Sequence, residues 1–348
     1  MARSSHIYLY LCTKMNGKRI EYIDAMRGFT MILVVYSHVC HYCFGDPWIG
    51  FNDVFFLFRL PCFFMISGWL FEPTSHKPFW PVVRRKFKVQ IVPTFIFLLL
   101  LAPPPLFFSR LGATKGGYWF TFALFCFFVI CLLATRLGRA WGSVIAVLVS
   151  VSAFCYDVFY NHIVTTHQSP LTTHLSQLLG FISFMTWRYY LFFYLGTLIR
   201  RHFNTFLCLT SRPLVMLAVV AGFVGVTLIP HTDNVAIEYF IFAMGGVLGM
   251  TMIFTIFRTL SPLFSHLSPL QYIGCRTLDI YLLHYFFLPR FLIPYARQFH
   301  IPDNSLPCLL LGLLLALLIV GVCLLVSRII RLSPFLGHWL FGVKYEKQ

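Results

Sequence analysis

Apolar positions along this chain run together rather than alternating with polar ones. A scan for stretches of about 20 mainly apolar residues, the length that crosses a bilayer as a helix, finds ten: residues 22–44, 52–72, 88–108, 118–135, 141–160, 178–199, 213–230, 236–257, 277–296 and 306–327. Polar residues gather in the short connections between them. The pattern predicts an all-α, polytopic transmembrane helical bundle of about ten spans. An even number of spans puts both termini on one side. No internal repeat or low-complexity tract interrupts it, so residues 20–330 read as one membrane domain, between an N-terminal segment 1–19 and a tail 331–348.

Composition agrees: 59% of the 348 residues are hydrophobic, only 11% are charged, and mean hydropathy is +0.78. A soluble domain carries about 25% charged residues. The formal charge of +16 reads as a topology signal rather than a nucleic-acid surface. With both termini cytoplasmic, 21 of the 27 Lys and Arg fall on the cytoplasmic side, against Arg110, Lys115, Arg290 and Arg297 outside. Arg59 and Arg188 lie within spans. That asymmetry is the positive-inside rule. The N-terminal apolar patch Ile7 to Cys12 is too short for a signal-peptide core or a span. Met15 begins a cleaner start, so the residues before it are expected not to belong to the native product.

The first span carries the candidate chemistry. Arg27 and His38 are eleven positions apart, which on a helix is about 20° from a whole number of turns and roughly 16 Å of rise. They share a face at different depths. Asp24, three residues before Arg27, is placed to pair with it. An ionisable group at membrane depth faces the protein interior and suggests function, although Arg27 also reads as one more positive-inside residue and His38 as a packing histidine. His41 lies one turn beyond. Ser67-Gly68 in the second span permits close backbone approach, as ordinary small-residue helix packing also does. The run Arg84-Arg-Lys-Phe-Lys88 ahead of Pro93 places four cations at the cytoplasmic mouth, where headgroup contacts are the competing explanation. Tyr118-Trp119-Phe120 reads as an interfacial belt, Arg188 as a mid-span cation that needs a partner, and His284 as a second histidine at a depth approaching that of His38. The outer-loop histidines His162, His167 and His174 lack a supporting carboxylate or second ligand pair, and the eleven cysteines are scattered singly. No metal site is expected.

The order Asp24-x-x-Arg27-Gly28, the spacing to His38, Pro61-x-Phe-Phe-x-x-Ser67-Gly68, Arg84-Arg85 ahead of Pro93, Trp119-Phe120, Tyr190 to Gly196 and Ile280-Tyr-Leu-Leu-His284 resembles the membrane acyltransferase-3 family. The similarity runs from about residue 20 to about 290. The resemblance implies a multi-pass enzyme of the bacterial inner membrane that moves an acyl group, usually acetyl from acetyl-CoA, to a sugar hydroxyl of an envelope polysaccharide or lipid-linked glycan. One departure is Arg59, where several sugar-acetylating relatives carry His before the Leu/Met-Pro pair.

On this reading Arg27, Arg84, Arg85 and Lys86 hold the phosphates of acyl-CoA, with Ser67 also on the donor side. His38 acts either as general base or as a transient acyl carrier. Arg27 and His284 are the other catalytic candidates, and Arg188, Tyr281 and Trp119 are expected to contact the acceptor. The expected partners are acyl-CoA, a glycan acceptor and membrane lipid. A transporter or flippase of a lipid-linked sugar is the competing class, though related halves, common in transporters, are not seen. A sensor or scaffold, indifferent to His38, is a third.

Overall fold

The computed structural model describes residues 14–15, 18–72, 77–101, 114–159, 178–180, 182–230, 232–261, 268–298 and 306–342. His162, His167, His174 and the cation Arg110 lie outside these. Lys14–Met15 and Lys18–Arg19 pair as a minimal antiparallel hairpin. The helices that follow, in chain order, are α1 (Glu21–Val39), α2 (Asn52–Phe71), α3 (Phe79–Lys86), α4 (Val92–Leu101), α5 (Trp119–Leu137), α6 (Arg139–Phe159), α7 (Tyr190–Arg201), α8 (Phe203–Thr210), α9 (Pro213–Thr227), α10 (Val235–Thr259), α11 (Ser268–Cys275), α12 (Thr277–Leu283), α13 (Ile293–Gln298), α14 (Leu306–Ile330) and α15 (Pro334–Phe341).

Among the described residues, six helices are long and apolar enough to cross a membrane: α1 with its continuation to Phe44, α2, α5, α6 over Ala140–Val158, α10 and α14. A seventh candidate, α8 with α9, bends by 82° between its halves. Three other predicted stretches are apolar enough but are not single regular helices. The third opens in the π-helical turn Phe87–Ile91 before α4. The sixth runs through the 3₁₀ segment Phe184–Tyr189, which contains Arg188, into α7. The ninth follows a break at Arg276, and its first helix, α12, then tightens into the 3₁₀ turn His284–Phe286. A hydropathy window registers composition but not these breaks, and residues of all three stretches, Gln90, Arg188 and Tyr281 among them, border the cavity described below.

The first span is the hub, with 83% of its apolar window buried against 28% for the last. The hydrophobic pattern of α14 leaves Leu310, Leu314, Leu318 and Ile329 exposed, the face a bilayer covers. Two glycine pairs set the inner packing. A Cβ on Gly28 would sit 2.0 Å from the Leu270 carbonyl oxygen, and one on Gly274 1.9 Å from that of Asp24. Thus α1 and α11 cross backbone to backbone. In the same way a Cβ on Gly68 would meet the Phe193 carbonyl and one on Gly196 the Met65 carbonyl, which locks α2 to α7. Without a hydrophobic drive between helices in lipid, such small-residue crossings supply close van der Waals packing. They also fix Arg27 and Ser67, each one residue from a crossing glycine.

Candidate active site

A cavity of about 410 Å³ follows one face of α1, touching Arg27, Met31, Val34, Ser37 and His38. Helical spacing puts these side chains on successive turns. The opposing wall is the matching stripe of α2, with Phe56, Arg59, Leu60, Phe63, Ser67 and Leu70. Lys86, Trp119, Arg188 and Tyr281 complete the polar lining together with Thr277, Gln90 and Thr121.

At the Arg27 end, the arginine is 7% exposed. Its Nη2 donates to Thr277 Oγ1 at 3.0 Å, and Nη1 lies 3.9 Å from Asp24. Lys86 is half-buried, with Nζ 3.8 Å above the Phe128 ring. Burial, and then the charges of Arg85 and Arg27, push its ammonium down to about 7. Arg84 and Arg85 are exposed and do not reach the cavity. Sequential neighbours on one helix point in different directions, so the run of four cations divides into one lining residue, Lys86, and three surface ones, Arg84, Arg85 and Lys88.

Eleven residues on, His38 enters a fixed chain of hydrogen bonds. His284 Nδ1 lies 3.1 Å from the Ile280 carbonyl, and His284 Nε2 lies 3.1 Å from His38 Nδ1. A carbonyl can only accept, so His284 carries its proton on Nδ1 and accepts at Nε2 from His38 Nδ1–H. This leaves the lone pair of neutral His38 on Nε2, where the Tyr285 hydroxyl donates at 3.0 Å. The same hydroxyl is 3.2 Å from the Gly117 carbonyl, which also accepts from Tyr281 at 3.1 Å. Tyr285 therefore has two acceptors for one proton. If His38 gains a proton on Nε2, that N–H donates to Tyr285 and the hydroxyl turns to Gly117. Both protonation states of His38 keep a complete set of partners.

The helix that carries these groups is held on two sides. Arg27 grips Thr277 on one, while Asp279 accepts two hydrogen bonds of 2.9 Å from Arg331 and one of 2.5 Å from Ser327, both beyond the reach of local sequence. Facing α12, the segment before α5 is stitched on by Tyr118, which donates to the Leu282 carbonyl at 2.7 Å, and by Tyr281, which accepts from the Phe120 amide at 3.2 Å. Gly117 makes this approach possible: its φ is +103°, and a Cβ there would fall 2.4 Å from Tyr285. Lys115 and Ser183, non-glycine residues with positive φ, flank the same region, and Lys115 Nζ donates to the Gly180 carbonyl at 3.3 Å.

Of the residues singled out in the sequence, Arg27, His38, Ser67, Lys86, Trp119, Arg188 and Tyr281 border one cavity, and Arg84 and Arg85 do not. His284, a catalytic candidate in the sequence, is fully buried behind His38 with both ring nitrogens engaged. Arg188 finds its partner in Asp157 at 3.8 Å, and its guanidinium stacks 4.9 Å from the Phe242 centroid. Among the described residues no group of three or more His, Cys, Asp or Glu is placed to hold a metal. Tyr285, Gly117, Asn52 and Asp279 hold hydrogen bonds around the site and are not among the sequence candidates. Tyr285 adjoins His284 and Asp279 follows Arg276 by one turn, so only those two carried a local signal.

Neither the curated proteins nor the solved structures give a match to this chain. A family model described as an acyltransferase domain matches residues 20–328, a range that takes in α1, the cavity walls, α12 and nearly all of α14. The chain is therefore a member of the membrane acyltransferase-3 family.

Proposed function

We propose that the protein transfers an acyl group, most simply acetyl, from acyl-CoA on the cytoplasmic side of the bacterial inner membrane to a hydroxyl of an envelope glycan or lipid-linked sugar. Ten spans and cytoplasmic termini complete this reading. The observation that carries it is the polarity of one cavity: the Arg27 and Lys86 cations are at one end, and a histidine with an oriented lone pair lies roughly 16 Å along the same helix. A pantetheine arm can span that distance with the phosphates at the cationic end, where a guanidinium fork suits them.

At the His38 end, Tyr285 turns its proton to Gly117 and frees Nε2. The acceptor hydroxyl gives its proton to Nε2 while its oxygen bonds to the thioester carbon. The carbon–sulfur bond then breaks, and the departing thiolate takes the proton back from His38. His284 acts throughout by holding the tautomer, as the third member of a nucleophile–base–orienter set does. Trp119, Arg188 and Tyr281 are left to bind the acceptor. Protein reconstituted in lipid nanodiscs and supplied with labelled acetyl-CoA and a panel of glycans provides the test. Label appearing in a glycan ester supports the reading, and intact acetyl-CoA across a broad panel opposes it.

Three outcomes are expected at the donor end. Arg27→Lys keeps charge but loses the planar fork, so acyl-CoA binding weakens by about tenfold, measured by equilibrium binding. Lys86→Gln raises the KM for donor, whereas Arg85→Gln leaves it unchanged; equal effects would return both residues to a topology role. Lys86 also predicts a pH dependence. An anionic donor needs the charged ammonium, and that form is lost in the free protein as pH rises through about 7. Donor affinity is therefore flat below this range and falls above it, and Lys86→Arg removes the slope. Orientation is checked separately by labelling single cysteines, Lys77→Cys from the cytoplasmic side only and Asp233→Cys from the outside only.

A further inference from the structure

We infer that Arg59 is a receptor for an oxyanion group, a carboxylate, phosphate or sulfate, carried by the substrate portion that reacts at the His38 end. The inference deepens the proposed acyl transfer and rests on that reading. Arg59 is 7% exposed and lines the cavity. Its Nη1 donates to Asn52 Oδ1 at 2.5 Å and to the Asn52 carbonyl at 3.3 Å. The Asn52 amide donates in turn to Ser37 Oγ at 3.4 Å and to the Pro47 carbonyl. Arg59 is thus connected through one side chain to the neighbour of His38.

The partners of Arg59 are neutral. The other cavity arginines, Arg27 and Arg188, have Asp24 and Asp157 beside them, while Arg59 has an amide and the Phe56 ring at 5.6 Å. Among the described residues no Asp or Glu borders the cavity. Taking a guanidinium out of water is costly unless charge or hydrogen bonds compensate, and among the described residues only one edge of this fork is occupied. The remaining donors match an oxyanion in bidentate geometry. The neighbouring outer cavity, which shares Phe56 and Arg188 with this one, has the opposite sign, with Asp46, Asp53, Asp157, Asp233 and Glu238. That field drives an anionic group toward Arg59 and away from the second cavity.

The anion belongs either to the acceptor or to the acyl chain, and two substrate pairs separate the sources. Reconstituted protein is given acetyl-CoA with methyl glucuronoside or methyl glucoside, and methyl glucoside with succinyl-CoA or acetyl-CoA. In one pair the wild type favours the charged member by roughly 10- to 100-fold in kcat/KM, the range of a hydrogen-bonded charge. Arg59→Gln brings that ratio close to one, and Arg59→Lys leaves a reduced preference, which also serves if the glutamine variant does not accumulate. A collapsed glucuronoside ratio assigns the anion to the acceptor, and a collapsed succinyl ratio to the acyl chain. Equal loss on every substrate would overturn the inference and make Arg59 a structural or transition-state group. Equilibrium binding of the same four compounds is read without turnover, so failure of acyl transfer does not hide the result. Charge-selective binding that Arg59→Gln removes sustains the receptor even then, and charge-blind binding by wild type refutes it.

Discussion

His38→Ala loses acyl transfer by about 10²- to 10⁴-fold, the contribution of a positioned general base, while acyl-CoA binding is retained. The separation follows from geometry. The cations that meet the donor phosphates lie near Arg27, roughly three turns of α1 away from His38. A His284→Phe variant keeps an aromatic ring in the buried slot but removes the acceptor for His38 Nδ1–H. The lone pair of His38 is then no longer confined to Nε2, and turnover falls with KM for donor unchanged. The pH–rate profile distinguishes this from simple unfolding: His284→Phe shifts the limb that reports His38, whereas a packing defect lowers the whole curve. Wild-type turnover in His38→Ala would remove the mechanism and make transport of a lipid-linked sugar the better reading of the same buried charges.

How much of this was legible in the sequence depended on the range of the signal. The shared face of Arg27 and His38 is a property of one helix, and eleven residues at 100° each suffice to find it. The Asp24–Arg27 pair is equally local. In sequence Arg84, Arg85 and Lys86 form a single cationic feature; on a helix each successive side chain turns by 100°, and of the three only Lys86 faces the cavity. The role of His284 required knowing that its Nδ1 is tied to its own helix at Ile280, information that no spacing contains. Gly117 lay further out of reach. Its function is to be small opposite Tyr285, 168 residues away, and to hold a backbone angle that side chains resist. Regular helices were foreseeable from apolar runs, whereas the interruptions at Phe87–Ile91, Phe184–Tyr189 and Arg276 were not, because they are set by how buried polar groups are satisfied between helices.

Gly117→Ala is expected to lose both stability and turnover, and the two losses have separate causes. A side chain at φ +103° carries backbone strain of about 1–3 kcal/mol. The new methyl would also stand 2.4 Å from the ring and hydroxyl of Tyr285, so that ring must move. It is held between Gly117 and His38, and its displacement takes from His38 the partner that lets both protonation states remain paired. Turnover should fall by roughly 10- to 100-fold, equivalent to one or two hydrogen bonds at a charged group. Tyr285→Phe isolates the second cause: the ring stays, the hydroxyl goes, and turnover drops in the same direction with a smaller change in Tm. Gly225→Ala supplies the contrast, since among the described residues a Cβ there meets no atom within 4 Å beyond its chain neighbours and its own helix backbone; on helix α9 the exchange should stabilise slightly. Donor binding should persist in all three variants, because the Arg27 end of the cavity is untouched. If Gly117→Ala kept wild-type Tm and turnover, the close contact with Tyr285 would have no part in positioning His38, and the base would have to be oriented by His284 alone.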